Sequence, residues 1–269
     1  MAAKSSEFRP RVLLTRPGER GQRLAEAFST HAVEALALDV MSHQLLPETP
    51  AQRSIWLDID QYRRIVVVSP FAAECLADAL DRYWPQLPLG PSFYAVGAAT
   101  AEVLHQRLGV RVHVPMPERG ETSEALLALP SLAALDEQKV LLVAGEGGRP
   151  LLAEALVARG AQLARLALYR RVLLPPEGEA REWLAQGDYA ALVISSGEVL
   201  EYLAGWCGSK ALNQPLIVSS RRLATLADSL GFAEVRVAGG ASVAALMAAV
   251  LSACDLDDAE DDHDDLEKG

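Results

Sequence analysis

The sequence predicts an α/β protein built on mostly parallel sheets, and two observations carry that prediction. Short β-branched runs alternate with longer amphipathic stretches along most of the chain, the pattern of successive βα units. The pattern also repeats: VLL at 12–14 returns at 140–142 and LAEA at 24–27 returns at 152–155, both displaced by 128 residues. Later landmarks keep pace with small gaps, Ser69 with Ser196 (127), Gly109 with Gly231 (122) and Ser123 with Ser242 (119). An Ala- and Leu-rich composition alone can repeat LAEA, but an ordered series in nearly one register points to a duplicated α/β domain.

Taken in order, strands are expected at 12–15, 65–68, 93–96, 110–114, 140–143, 192–194, 216–218 and 235–237. Each is a short run rich in Val, Ile, Leu or aromatic residues, and helices follow most of them. Between the first helix of each half and the next unit lies a longer run, 33–46 and its counterpart 162–174. Both exceed the usual strand of about five or six residues. Each reads either as a strand and turn or, together, as paired connectors between two lobes, with the chain starting in one lobe, completing the other and returning.

The 269 residues suffice for one large or two ordinary domains, with half of them apolar and 23% charged. The formal charge of −11 is unevenly placed: residues 255–269 hold nine carboxylates and one Lys, leaving the body at −3. Such a body lacks the basic stripe of a nucleic-acid binder, and the acidic tail is expected to be disordered. The longest apolar run, 241–254, has 14 residues, short of the roughly 20 that cross a bilayer. The N-terminus lacks the apolar core of a secretory signal, so a cytoplasmic protein is expected. Cys75, Cys207 and Cys254 show no pairing or metal-ligand spacing and read as small buried apolar residues.

The chemistry-bearing residues form no conventional set. Neither a Walker A pattern nor a GxGxxG fingerprint is present, and the loop 145–149, GEGGR, is either a tight turn or a cradle of N–H groups for an anion. Ser69, Thr100, Ser123, Ser196, Ser220 and Ser242 recur at strand-to-helix junctions. Each suits an N-cap, and together they would line the crevice at the carboxyl ends of parallel strands. His31, His43, His105 and His113 have no Ser/Asp pair nearby and read as surface or packing residues. Catalysis on this chain would rest on positioning and hydrogen bonding.

The ordered series VLLTRP (12–17), VVVSP (66–70), AVGAAT (95–100), ETSEALL (121–127), LALYRR (166–171), VISSG (193–197) and IVSSRRLA (217–224) resembles the uroporphyrinogen-III synthase family from residue 12 to about 254. The resemblance implies two flavodoxin-like, doubly wound parallel-sheet lobes joined by a two-stranded connector. Their bounds are expected at 1–41 plus 170–254 for the first, discontinuous lobe and 44–166 for the second. It implies a cofactor-independent, metal-free lyase that dehydrates and cyclises hydroxymethylbilane with its terminal ring inverted. A monomer is expected, in transient contact with the preceding pathway enzyme. By the family pattern Tyr169 assists loss of the hydroxyl, since a phenol titrating near about 10 carries its proton at neutral pH. Arg16, Ser69, Thr100, Gly145, Arg149, Ser196, Ser220 and Arg222 match the substrate-binding cleft. Two positions depart from the pattern: Ala144 stands where relatives carry Arg, and Phe71 where a polar or basic side chain is common. A sensor of the same fold without catalysis, or a periplasmic-type binding protein, would be the competing functions. Retention of Tyr169 and the absence of an appended DNA-binding module or signal peptide favour the enzyme.

Overall fold

The computed structural model describes residues 9–148 and 150–254, so the acidic tail lies outside the described residues, as does Arg149. The strands are β1 (Arg11–Leu14), β2 (Glu34–Ala37), β3 (Met41–Leu45), β4 (Arg64–Val67), β5 (Ser92–Ala95), β6 (Val112–His113), β7 (Lys139–Gly145), β8 (Gln162–Leu173), β9 (Ala191–Ile194), β10 (Leu216–Val218) and β11 (Val235–Val237). The helices are α1 (Glu19–Ala27), α2 (Pro50–Leu57), α3 (Pro70–Tyr83), α4 (Ala98–Leu108), α5 (Ser123–Leu127), α6 (Leu151–Ala158), α7 (Gly178–Gln186), α8 (Gly197–Ala204), α9 (Arg221–Ser229) and α10 (Val243–Ala253).

The chain divides into two units, one of residues 1–42 and 172–269 and the other of residues 43–171. In the first unit the strands run β11-β10-β9-β1-β2, all parallel. In the second they run β3-β8-β7-β4-β5-β6, with β4 to β8 parallel. Each sheet pairs one βαβ hairpin, β1-α1-β2 or β7-α6-β8, with three further strands in the same spatial order. Numbered from the hairpin, both follow 2-1-3-4-5, the flavodoxin order.

Alternation builds the cores. In the second unit Ile65, Val67, Leu141 and Val143 pack in one layer with Leu76 and Leu80 of α3 and Leu104 of α4, while Val66 and Leu142 enter the opposite layer with Leu126, Leu152 and Leu156. In the first, Leu13, Leu192, Ile194 and Leu216 face Leu200 and Leu223, and Val12, Leu14, Val193 and Ile217 face Leu24, Leu246 and Val250. Successive side chains of a strand point to opposite faces, so both faces must be covered by helices. Burial of each Leu or Val contributes about 1.5–3 kcal/mol.

The run 33–46 is not one strand. The Val40 N–H donates to the Leu38 carbonyl at 3.0 Å, a γ-turn at Asp39 that separates β2, in one sheet, from β3, in the other. Its counterpart β8 stays continuous over 12 residues. The Leu174 N–H bonds the Val40 carbonyl and the Leu46 N–H bonds the Leu168 carbonyl, each at 2.9 Å, so the two connectors run antiparallel. The strand expected at 110–114 shrinks to two residues at the sheet edge. None of the three cysteines is in a disulfide, and all are half-buried rather than buried. Burial raises the thiols of Cys75 and Cys207 to about 11. Among the described residues no helix is long and apolar enough to cross a membrane.

Candidate active site

In sheets of this order ligands bind beyond the carboxyl ends of the strands, where connections diverge to opposite sides. That switch point falls between β7 and β4 in the second unit, and Gly145 and Ser69 stand at it. Ser69 caps α3 by accepting the Ala72 N–H at 3.1 Å, and Pro70 occupies the first helical turn. The Ser69 Oγ also lies 2.9 Å from the Tyr169 Oη. A hydroxyl has one proton and two lone pairs. Accepting from Ala72 leaves Ser69 its proton and a second lone pair, so either hydroxyl can donate in this contact; when Ser69 donates, the phenolic proton is free for another acceptor.

Tyr169 reaches this position through an irregularity in β8. Pairing with β7 runs Ala144 to Ala167 and then Gly145 to Tyr169, so Leu168 is an extra residue. In a regular strand Leu166 and Tyr169 would point to opposite faces, yet both enter the same core layer. The bulge re-aims the tyrosine. Gly145 then supplies the floor: a Cβ there would stand 2.8 Å from the Tyr169 Cε2 and Cζ. The ring is 6% exposed. His43 and Phe71 flank it, each ring centroid 4.9 Å from that of Tyr169. The sequence reads His43 as a surface or packing residue and marks Phe71 only as a departure from the family pattern; three separated segments meet here, and no spacing in the sequence records that. Arg165 donates to the Gly147 carbonyl at 2.6 Å and holds the following loop, in which Gly147 and Gly148 have positive φ.

Thr100 departs from the expected cap. It lies inside α4, 3% exposed, and the cap position belongs to Gly97. The Ala98 N–H donates instead to the Glu121 Oε1 at 2.8 Å, and the carboxylate approaches so closely that a Cβ on Gly97 would meet it at 2.7 Å. The N-terminus of α4 is thus taken by the chain's own carboxylate. Ser123 is likewise the first residue of α5, whose cap is Thr122.

The first unit gathers the remaining candidates at its own switch point, between β1 and β9. Thr15, just past β1, donates its hydroxyl to the Val193 carbonyl at 2.9 Å. Arg16 follows and donates to the Ala241 carbonyl, before α10. Ser196 stands at the cap position of α8 without a cap bond, whereas Ser220 caps α9 by accepting the Leu223 N–H at 3.4 Å. Arg222, in the first turn of α9, comes within 3.6 Å of where a Gly197 Cβ would stand, and so lies beside Ser196. The candidates therefore form two clusters: Ser69, Gly145 and Tyr169 on one unit, and Arg16, Ser196, Ser220 and Arg222 on the other. A concavity of about 770 Å³ lined by Arg11, Glu34 and Gln214 opens at the opposite, amino-terminal edge of the first sheet, away from these residues.

A family model described as uroporphyrinogen-III synthase HemD matches residues 22–248. The chain is 31% identical to the uroporphyrinogen-III synthase of Salmonella typhimurium over 250 residues, covering 89% of this chain and 99% of the relative. A Proteus mirabilis relative of the same name is 30% identical over 184 residues, 66% of this chain and 90% of its own. Among solved structures, a uroporphyrinogen III synthase of Thermus thermophilus superposes with a TM-score of 0.57 at 21% identity, covering 91% of this chain and 99% of that one. One from Helicobacter pylori gives 0.57 at 14% identity, with the same coverage. The two structures speak for the fold alone; the match of the family model across most of the chain, seconded by relatives aligned over nearly their full length, makes this chain a member of the uroporphyrinogen-III synthase family.

Proposed function

We propose that the chain cyclises hydroxymethylbilane to uroporphyrinogen III, with Tyr169 as the proton donor to the departing hydroxyl. The 2.9 Å contact between Tyr169 and Ser69 is the observation that carries this assignment. Ser69, fixed as the cap of α3, orients the phenol oxygen, so that its proton is available to the substrate. The reaction breaks the C–O bond of the hydroxymethyl group and, for the inversion, the C–C bond that ties the terminal pyrrole to its neighbouring methylene bridge, and it forms two C–C bonds. The leaving oxygen takes a proton and departs as water, which leaves the hydroxymethyl carbon an electrophile stabilised by its pyrrole nitrogen. That carbon bonds the substituted α-carbon of the terminal pyrrole, the old bridge bond breaks with its methylene carbon stabilised in the same way, and this methylene bonds the free α-carbon, which expels its proton. Nothing is oxidised or reduced overall, which supports a reaction without a redox cofactor.

Arg16, Ser196, Ser220 and Arg222 are read as contacts for the acetate and propionate groups of the substrate. Two guanidinium groups and two hydroxyls at a sheet's carboxyl edge suit a polyanion. Gly145 serves by its lack of a side chain. Thr100, buried inside α4, is not read as a substrate contact. The substrate closes unaided to isomer I, which favours an enzyme that takes it from the preceding pathway enzyme by transient contact; we read that enzyme as a cytoplasmic monomer.

The test is Tyr169→Phe, which keeps the ring and removes the proton. A positioned general acid contributes about 10²- to 10⁴-fold, and a substrate this labile calls for the lower end or less. The expected result is a fall in kcat for isomer III with KM little changed, measured by feeding fresh hydroxymethylbilane and separating isomers I and III after oxidation. Wild-type turnover by a folded Tyr169→Phe variant would assign the donor elsewhere.

A further inference from the structure

Two rings beside Tyr169 have no part in the proton transfer just described. His43, on β3, stacks on Phe71, in the first turn of α3, with centroids 4.5 Å apart and planes 15° from parallel. Both rings then meet Tyr169 close to perpendicular, at 86° and 88°. With Gly145 under the phenol and Ser69 on its oxygen, these two rings flank the side chain.

His43 is half-buried, and its imidazole pKa is lowered below the usual 6.5, first by burial and then by the positive charge of Arg171 on β8. The rings in contact with it are those of Tyr169, also on β8, and Phe71 on α3. Both effects disfavour the charged imidazole. Linkage runs both ways: if enclosure disfavours the charged imidazole, charging the imidazole disfavours the enclosed position.

We propose that His43 is a positioning residue of the cyclisation site: as an uncharged ring stacked on Phe71 it forms the wall that holds the Tyr169 phenol in place, and its protonation opens that wall and turns the site off. A second effect has the same sign. Loss of the hydroxyl leaves positive charge on the pyrrolylmethyl carbon, and an imidazolium beside the donor opposes it, whereas neutral ring faces favour a cation. The proposal rests on Tyr169 being the donor.

The test is the pH dependence of isomer III formation between pH 5 and 8.5 for the wild type, His43→Phe and His43→Ala, with Tyr169→Phe run in parallel. Wild-type kcat should fall on the acid side with a midpoint below 6.5, with KM largely unaffected. The substrate's own carboxylates titrate near about 4–5, below that window. His43→Ala should lose about ten- to a hundredfold in kcat at pH 8, as expected of a misplaced reacting group. Its share of isomer I should rise. His43→Phe should recover most of the loss and move the acid limb to lower pH, a change that a merely structural ring would not produce. An unmoved acid limb in His43→Phe, or wild-type kcat in His43→Ala, would overturn the proposal. Should the variants fail to fold, NMR titration of the His43 C2 proton in the wild type decides: agreement with the kcat midpoint supports the proposal and separation from it refutes it. Tyr169→Phe keeps the two readings apart. Wild-type activity there sinks the donor assignment, whereas an impaired Tyr169→Phe beside a fully active His43→Ala sinks the role of His43 alone.

Discussion

A tyrosine in a strand has two aromatic faces to cover, and around Tyr169 the residue that matters most is the one without a side chain. Gly145→Ala would put a methyl group 2.8 Å from two ring carbons, so the ring must move or the strands must part. The expected cost is about 1–3 kcal/mol of stability, as for other overpacked sites. A larger proportional fall in isomer III turnover should accompany it, read by urea unfolding and the isomer assay on the same preparation. His43 gives a pH signature. Its folded pKa is lowered below the unfolded value, so the unfolded chain binds the proton more readily. Its contribution to stability is intact above about 6.5 and is lost as pH falls through the folded value. The wild type should lose urea midpoint relative to His43→Phe over that window and match its pH trend at pH 8. At this scale the sequence was only partly readable. Tyr169 stood out through family resemblance, and Ser69 through its junction. His43 and Phe71 meet only because a turn at Asp39 and a bulge at Leu168 bring β3, β8 and α3 together, and neither device has a distinctive residue pattern.

Secondary-structure elements show why serines at equivalent junctions are not equivalent. Ser69 and Ser242 cap α3 and α10 in the same way, at 3.1 and 3.2 Å from the N–H three residues on. Losing such a cap costs about 1 kcal/mol. Ser69→Ala and Ser242→Ala should therefore lower the unfolding midpoint by similar amounts, while only Ser69→Ala, which also releases the Tyr169 oxygen, slows isomer III formation severalfold. Equal activities for the two variants would separate the Tyr169 contact from catalysis. The strands that were legible were those with both faces buried, where Val, Ile and Leu run without interruption, as in β4, β7 and β9. The edge was not: Val110 and Val114 have the residue type of a strand but fall outside β6, which among the described residues ends the sheet with β5 as its one neighbour. Thr100 was misread for a related reason. Gly97 and the distant Glu121 do the work of the cap, and only tertiary structure connects them.

For the whole molecule, the displacement of 128 residues proves to be architectural. Val12 and Val140 are each the second residue of the corresponding strands β1 and β7, and Leu24 and Leu152 lie on the helices α1 and α6 that follow. Ser69 and Ser196 follow the corresponding strands β4 and β9. The repeat unit in sequence is nevertheless not the unit in space. The first half of the chain gives its hairpin to one sheet and β4, β5 and β6 to the other, and the second half does the reverse. Activity, on the chemistry proposed, should survive exhaustive chelation and dialysis; loss restored by a metal or nucleotide would overturn that expectation. The crossing of the halves has a further consequence. Two such half-chains on separate polypeptides would be arm-exchanging partners, each lending its leading hairpin to the other's sheet, and the present chain has the topology of that pair fused end to end. A backbone cut in the exposed turn 136–137, where one half gives way to the next, would leave each fragment with two unfinished sheets. Neither fragment should fold alone, and the two mixed should regain isomer III formation with second-order kinetics.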